Sequence, residues 1–159
     1  MALDQAVVAA TEEQLVAFEL ADEVYGVEIA RVQEIIRMTE ITKLPRAPHF
    51  VEGVINLRGR VIPVVDMKKR FDLKQTERTE SGRIVVVDMG DHTIGMVVDG
   101  VSEVLRVPAS AIEPPSPVVM TAQSDYIRGI AKQDGRLIIL LSLDKILAKD
   151  EQQQLKDVA

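Results

Sequence analysis

The 159-residue sequence contains no cysteine, no tryptophan and only two histidines. The absence of cysteine excludes disulfide bonds and thiolate zinc sites. His49 follows a proline and His92 falls in a predicted hairpin turn, so neither a multi-histidine metal site nor a histidine proton relay is expected. We therefore predict that the chain needs no metal and no cofactor.

Aromatic residues make up only 3% of the chain, and the formal net charge is -6. Few rings are available to stack on bases, and the charge disfavours attraction to phosphate backbones, so we expect no nucleic-acid partner. The aliphatic run at 137–141 is far shorter than the roughly 20 residues that a membrane-spanning helix requires. The first ten residues lack the basic start of a secretory signal. We therefore expect a cytoplasmic protein without direct membrane insertion.

Sequence patterns that mark common active sites are missing. The chain has no GxxxxGK[ST] phosphate loop, no GxGxxG, no HExxH and no GxSxG. Carboxylates are abundant, with 25 Asp and Glu, but no pattern pairs two of them for acid–base chemistry. The basic run Lys68, Lys69, Arg70 could seat an anion, but a water-facing side of a short helix is the simpler interpretation. We predict that the chain is not an enzyme.

Two stretches of the chain repeat each other. Residues 14–45 align without gaps with 83–114, and residues 53–71 align with 129–147 after a seven-residue insertion. Coincident glycines and prolines at predicted turns favour a true duplication over chance. These coincident pairs are Gly26/Gly95, Gly53/Gly129, Gly59/Gly135 and Pro45/Pro114.

Each copy reads as a series of short apolar strands separated by turn residues, which is typical of small β-barrels. We assign Gly26, Gly59, Gly95 and Gly135 to structural turns, where glycine tolerates positive φ. Helix is scarce: one is predicted to begin after Ser142 and another short one to cover 67–71.

The two copies differ at their last hairpin. The first copy has Arg58 before its turn glycine, whereas the second has Asp134 at the same place. An arginine that the scaffold does not require is a candidate for recognition. The alternative is a solvent-exposed arginine with no specific role.

The segment PRAPHFVEGVINLRGRVIPVVDMKKRFDL at 45–73 closely resembles the signature of the CheW family of chemotaxis coupling proteins. YGVEIARVQEI (25–35), IGMVVDGVSEVL (94–105) and YIRGIAKQDGRLIILLSLDKIL (126–147) also resemble that family, so the similarity covers about 13–150. The resemblance implies a single, mainly β domain of two SH3-like five-stranded barrel lobes, at about 14–73 and 83–147, between which strands can be exchanged. Residues 1–11 and 151–159 are expected to form frayed tails.

The resemblance also implies a non-enzymatic adaptor that bridges chemoreceptor cytoplasmic tips to the regulatory domain of the histidine kinase CheA, at membrane-associated arrays. A helical receptor tip would lie in a groove between the lobes. The receptor positions carried over are Val32, Glu34, Asn56, Leu57, Arg58, Val101 and Val104. The kinase positions are the stretch Ile41, Thr42, Lys43 and Leu44, which is expected to be exposed and apolar, together with Gly53 and Val54.

Two other interpretations stay open at this point. A domain of the same family could serve another chemosensory-type pathway, such as motility or gene control. A barrel of a different class could bind or hydrolyse a small anion clamped by Arg58, which would require a deep polar pocket beside that residue.

Overall fold

The computed structural model describes residues 12–74, 79–114 and 126–147. These residues are mainly β, as predicted, with eleven strands and two short α-helices. The first copy contains β1 (Glu12–Leu20), β2 (Glu23–Glu28), β3 (Val32–Arg37), β4 (Val51–Leu57), β5 (Arg60–Asp66) and α1 (Met67–Arg70). The second contains β6 (Arg83–Asp88), β7 (Thr93–Val98), β8 (Gly100–Pro108), β9 (Ile112–Glu113), β10 (Ile127–Gln133), β11 (Arg136–Leu141) and α2 (Leu143–Ile146).

The strands form two sheets, and each sheet defines a lobe. The six-stranded lobe has the order β8-β1-β2-β11-β10-β9, and the five-stranded lobe has the order β3-β6-β7-β5-β4. The first hairpin of each copy therefore lies between strands of the other copy. In both sheets this hairpin is joined to the last strand of the other copy by parallel pairing, β2 with β11 and β7 with β5.

The family resemblance allows strands to be exchanged between the lobes, and because of this exchange the two sheets do not coincide with 14–73 and 83–147. The six-stranded lobe takes its first two strands from the first copy and the remainder from the second. The five-stranded lobe takes β6 and β7 from the second copy and its other three strands from the first. Sequence similarity shows which segments are equivalent, but it does not show which copy each hairpin pairs with.

The exchanged strands β1 and β6 are buried on both faces. Leu15 and Ala17 fill the interior of the six-stranded lobe, while Val16, Phe18 and Leu20 point to the opposite side of the sheet. In β6 the equivalent alternation places Ile84 and Val86 inside the five-stranded lobe, and Val85 and Val87 outside it. Strand segments with two buried faces read as unbroken apolar runs, as 15–18 and 84–87 do.

Three apolar clusters result from this alternation. One fills each lobe. The third, called here the interlobe core, combines side chains of both sheets and both helices and includes Phe18, Tyr25, Val65, Val85 and Leu141. Four rings stack through it in the order Phe18, Tyr25, Phe71, Tyr126, with neighbouring centroids 4.2 to 6.1 Å apart.

The two helices are anchored by ion pairs of opposite polarity. Lys68 of α1 contacts Asp99 at 2.8 Å, and Asp144 of α2 contacts Arg31 at 3.1 Å. Asp99 also accepts a hydrogen bond from the backbone N–H of Ala21, in the β1–β2 turn, at 2.7 Å. Each ion pair thus ties the helix of one copy to the other copy.

The interpretation of Lys68 as a water-facing residue is wrong. Its side chain is buried against Asp99. This follows from the orientation of α1, which Asp66 caps by accepting a hydrogen bond from the Lys69 N–H at 3.1 Å, so that the helix lies against the lobe.

Helix α2 follows Ser142, as predicted, although the Ser142 side chain makes no capping bond. The helix ends at Ile146, because Leu147 has an extended backbone. No helix within the described ranges is long and apolar enough to cross a bilayer.

Two of the four glycines assigned to turns lie in strands instead. Gly26 is in β2 and Gly95 is in β7, where they are equivalent positions. A Cβ on Gly95 would approach the Ile84 side chain to 2.7 Å, and one on Gly26 would approach Ile138 to 3.3 Å. Barrel-interior packing, not turn geometry, therefore explains these glycines. Gly59 and Gly135 do lie in the last hairpin turns, at φ +85° and +76°.

The buried phenol of Tyr25 generates a test of the interlobe core. Burial, aided by the nearby Tyr126 and Glu23, raises the pKa of Tyr25 from 10.0 to about 12. Because the unfolded chain loses this proton first, the associated stability is complete below pH 10 and is lost as the pH rises towards 12. We expect Tyr25 to account for a loss of about 2 kcal/mol across this interval.

Urea unfolding of the wild type and Tyr25→Phe at several pH values between 8 and 12 measures this loss. The two proteins should differ in their pH dependence, with the variant losing less stability above pH 10. Identical pH profiles would show that Tyr25 does not ionise with a raised pKa.

Candidate functional site

Arg58 connects the two edges of the five-stranded sheet. It lies in the β4–β5 turn at φ +51°, and its Nη2 donates to the Oε2 of Glu34 on β3. Strands β4 and β3 are the two outermost strands of that sheet, so the contact joins its ends as the sheet curls. The Arg58 side chain remains 72% exposed, and this leaves much of its guanidinium accessible to a partner.

The six-stranded lobe makes the equivalent connection with a different arginine. There Arg136 donates to Glu103, the counterpart of Glu34, at 2.6 Å. The counterpart of Arg136 in the first copy is Arg60, which instead contacts the Thr93 hydroxyl at 3.3 Å. Asp134 occupies the Arg58 position at a similar φ of +52°. The fold therefore uses a Glu–Arg contact in both lobes but projects the arginine from different positions.

Val32 and Val101 occupy equivalent edges of the two lobes. Both are partly buried and pack against the interlobe core, Val32 from β3 and Val101 from β8. Their side chains therefore belong in part to the packed core. At these two positions the edge strands of the lobes contact the interlobe core.

The exposed aliphatic side chains occur as equivalent pairs. Ile35 is 40% exposed and its counterpart Val104 is 55% exposed. Ile35 stands opposite Val85 in the sheet, and Val104 stands opposite Val16. Both opposing residues belong to the interlobe core, and directly opposed residues share a sheet face. Ile35 on the five-stranded lobe and Val104 on the six-stranded lobe therefore form exposed apolar surface that is continuous with the interlobe core.

A second such pair lies beside the last hairpin turns. Val61 is 50% exposed and its counterpart Leu137 is 57% exposed. Each precedes a residue of a lobe interior, Ile62 or Ile138, so each points to the opposite face of its strand. We did not predict Ile35 as a surface contact residue from the sequence, although its alignment with Val104 in the repeat could have identified it.

Two other receptor candidates have internal roles. Leu57 packs against the interior cluster of the five-stranded lobe, so its side chain is only partly available. Asn56 is exposed, and its side-chain oxygen accepts a hydrogen bond from the Gly59 N–H at 2.8 Å, which stabilises the turn that carries Arg58. Both residues therefore position Arg58, whatever else they contact.

The segment assigned to the kinase is less exposed than expected. Ile41 and Leu44 are partly buried, with Ile41 packed against the interior of the five-stranded lobe, whereas Thr42 and Lys43 are exposed. Thr42 forms two backbone hydrogen bonds of 2.9 Å with Val54 and so covers part of the β4 edge. The expectation of an exposed apolar stretch is wrong here, because this segment completes the lobe.

Gly53 is also explained by the fold. It is buried at φ +147°, and an added Cβ would lie 2.7 Å from the Thr42 carbonyl carbon. The equivalent Gly129 is similarly crowded by Ile112 and the Glu113 carbonyl oxygen. Gly53 therefore makes room for the chain's own crossing segment and offers no side-chain surface to a partner.

Two surface depressions of about 140 and 490 Å³ share Met38, Thr79 and Gly82 in their linings. Arg58 lines neither of them, so the anion-clamping alternative finds no support in these depressions.

Among the described residues no three His, Asp or Glu side chains are grouped to hold a metal ion. His92 contacts Asp91 at 2.7 Å, and its buried Nε2 has no hydrogen-bond partner within the described ranges.

Comparisons with known proteins identify the family. The family model of the CheW-like domain matches residues 14–151. The chemotaxis protein CheW of Rhizobium meliloti is 36% identical over 140 residues, which cover 88% of this chain and 90% of that protein. CheW of Klebsiella aerogenes is 33% identical over 147 residues, which cover 92% and 89%.

A solved structure shows the same fold. The crystal structure of the scaffolding protein TtCheW from Thermoanaerobacter tengcongensis superposes with a TM-score of 0.81, at 40% identity, and covers 87% of this chain and 94% of that one. The chain belongs to the CheW-like domain family, a family of chemotaxis adaptors. The resemblance found in the sequence, the two-lobed β fold and the assignment to an adaptor family are confirmed.

The crowding at Gly53 can be tested against a glycine that has space around it. Gly53→Ala should reduce the free energy of unfolding by about 3 kcal/mol or more, since it combines positive φ with a backbone clash. Gly59 also has positive φ, but no other atom lies within 4 Å of the place that an added Cβ would take. Gly59→Ala should therefore cost only about 1 kcal/mol. Urea denaturation measures both values, and equal losses would contradict the assigned role of the Thr42 segment.

Proposed function

We propose that this protein is a cytoplasmic adaptor that couples chemoreceptor tips to the histidine kinase CheA at membrane-associated arrays. Family membership supports the adaptor class. The observation that supports binding most directly is the accessible Arg58 guanidinium beside an apolar lobe edge. Such a surface can recognise a protein but offers no nucleophile or acid–base pair for chemistry.

The receptor surface in this proposal runs along the two lobe edges. Val32, Ile35 and Val101, Val104 supply apolar area from equivalent strands, and Arg58 supplies a charged anchor held by Glu34. A helix can place its apolar face on such an edge while an arginine fixes its register through a carboxylate or a backbone carbonyl. The receptor tip is the helical partner expected from the family resemblance.

The kinase surface in this proposal is centred on the segment that covers the β4 edge. Thr42 and Lys43 are its exposed members, and Val54 lies beside them on β4. Ile41, Leu44 and Gly53 would act by supporting this segment. The regulatory domain of CheA would thus contact a part of the five-stranded lobe other than the Arg58 turn.

The pair Arg58 and Asp134 provides a matched test of the receptor surface. Arg58→Ala should weaken binding of a receptor-tip fragment about tenfold, as expected when an interface arginine is lost. Its effect on stability should stay within about 1 kcal/mol, because the arginine of the ion pair with Glu34 is largely exposed. Calorimetric titration and thermal melts measure the two quantities.

Asp134→Ala is the control, since it changes the equivalent turn of the other lobe. It should leave receptor binding unchanged. If both variants bind the receptor fragment equally weakly, the first hairpin is not the specialised one and this surface must be reassigned.

The kinase surface is tested by titrating the full chain with the isolated CheA regulatory domain, with and without the receptor fragment. Lys43→Glu should weaken kinase binding about tenfold while receptor binding is retained. Lys145→Glu makes the same charge change at an exposed site of α2 and should have little effect. Normal binding by Lys43→Glu would contradict this surface, and failure of the wild type to bind CheA would favour another pathway of the same family.

A further inference from the structure

Two arginines face each other at one end of the five-stranded sheet. Arg37, the last residue of β3, is directly opposite Arg83, the first residue of β6, in an antiparallel ladder. Directly opposed residues project from the same face, and two like charges there destabilise the pairing unless a counter-charge lies between them. The arrangement therefore requires an explanation.

No carboxylate of the described residues neutralises either guanidinium. Nη1 of Arg83 donates to the backbone carbonyls of Glu80 and Gly82, at 2.8 and 2.7 Å. These bonds hold the guanidinium in place and leave its positive charge uncompensated. Arg37 is exposed and makes no hydrogen bond or ion pair within the described part of the chain.

Both arginines line the depression of about 490 Å³, together with Met38, Thr79, Glu80 and Gly82. This volume is within the range of small-molecule sites. Two positive side chains and one carboxylate leave the depression with a net positive charge, although the whole chain carries -6. An anion would therefore be attracted to this place and not to the surface in general.

The other lobe shows that the fold does not need this pair. The repeat aligns Arg37 with Arg106 and Arg83 with Gln14, and Gln14 stands opposite Arg106 in the β1–β8 ladder. The same backbone arrangement thus holds an Arg–Gln pair in one lobe and an Arg–Arg pair in the other. Arg83 therefore has no arginine counterpart in the six-stranded lobe, where Gln14 takes its place.

We propose that Arg37 and Arg83 form a binding site for the phosphate group of a small anion. A phosphate dianion matches two neighbouring guanidinium groups in charge, and its oxygens accept the parallel N–H donors of each fork. The prepositioned Arg83 supplies the fixed half of the site, and the exposed Arg37 closes over the ligand. This site is separate from the Arg58 turn, so its failure would leave the adaptor proposal intact.

The experiment is a titration of the isotopically labelled full chain with inorganic phosphate and with pyrophosphate, followed by NMR at constant ionic strength. Saturable shifts are expected for the Gly82 and Arg83 signals. Arg83→Gln copies the Arg–Gln pair that the other lobe already contains, so it should fold normally and bind about tenfold more weakly or not at all. Arg37→Gln should have the same effect, whereas the control Arg106→Gln should bind like the wild type.

Acetate at the same ionic strength separates a phosphate site from a general anion site. Saturable phosphate binding that is lost in Arg37→Gln and Arg83→Gln, with acetate bound much more weakly, would support the proposal. Shifts that rise linearly without saturation, or that persist in both variants, would overturn the site. Equal affinity for acetate and phosphate would overturn the assignment of the ligand as a phosphate.

Discussion

The reciprocal exchange of hairpins is the constraint on which the rest of the structure depends. Each lobe is built around two strands that come from the other copy, so neither copy can complete a lobe alone. The exchanged strands β1 and β6 have no solvent face, because one face fills a lobe and the other enters the interlobe core. The relative position of the lobes is thereby determined by core packing, which is stiffer than an ordinary interdomain contact.

The repeat also separates what the fold requires from what is specific to one lobe. Equivalent positions agree in the core and at the crowded glycines, such as Gly53 and Gly129. They differ in charge, as at Lys68 and Asp144, whose helices nevertheless each form an ion pair with the other copy, with reversed polarity. The charged differences at Arg58, whose side chain stays exposed despite its ion pair with Glu34, and at Arg83, which has no carboxylate partner among the described residues, are therefore the best places to look for recognition.

Much of this structure could be predicted from the sequence, because strand periodicity, turn residues and the repeat all depend on local chemistry. The strands, both short helices and the equivalence of the copies followed from them. The exchange was expected only from the family resemblance, since it depends on which copy a hairpin pairs with. The roles of Gly26 and Lys68 were also mistaken, because each is determined by a neighbour distant in sequence, Ile138 for Gly26 and Asp99 for Lys68. Apart from Arg58, which the difference between the copies singled out, surface roles could be carried over only by resemblance.

The hairpin exchange has a consequence for how the chain acquires its structure. Contacts such as that of Ala21 with Asp99 join residues 78 positions apart, and Glu13 pairs with Arg128 across 115. A ribosome that has released only the first copy has not yet supplied the strands that either lobe needs. The five-stranded lobe must then wait for β7, which ends at Val98, and the six-stranded lobe for β11, which ends at Leu141. High contact order of this kind is associated with slow folding. Once formed, the two lobes should lose their structure together in a single cooperative transition.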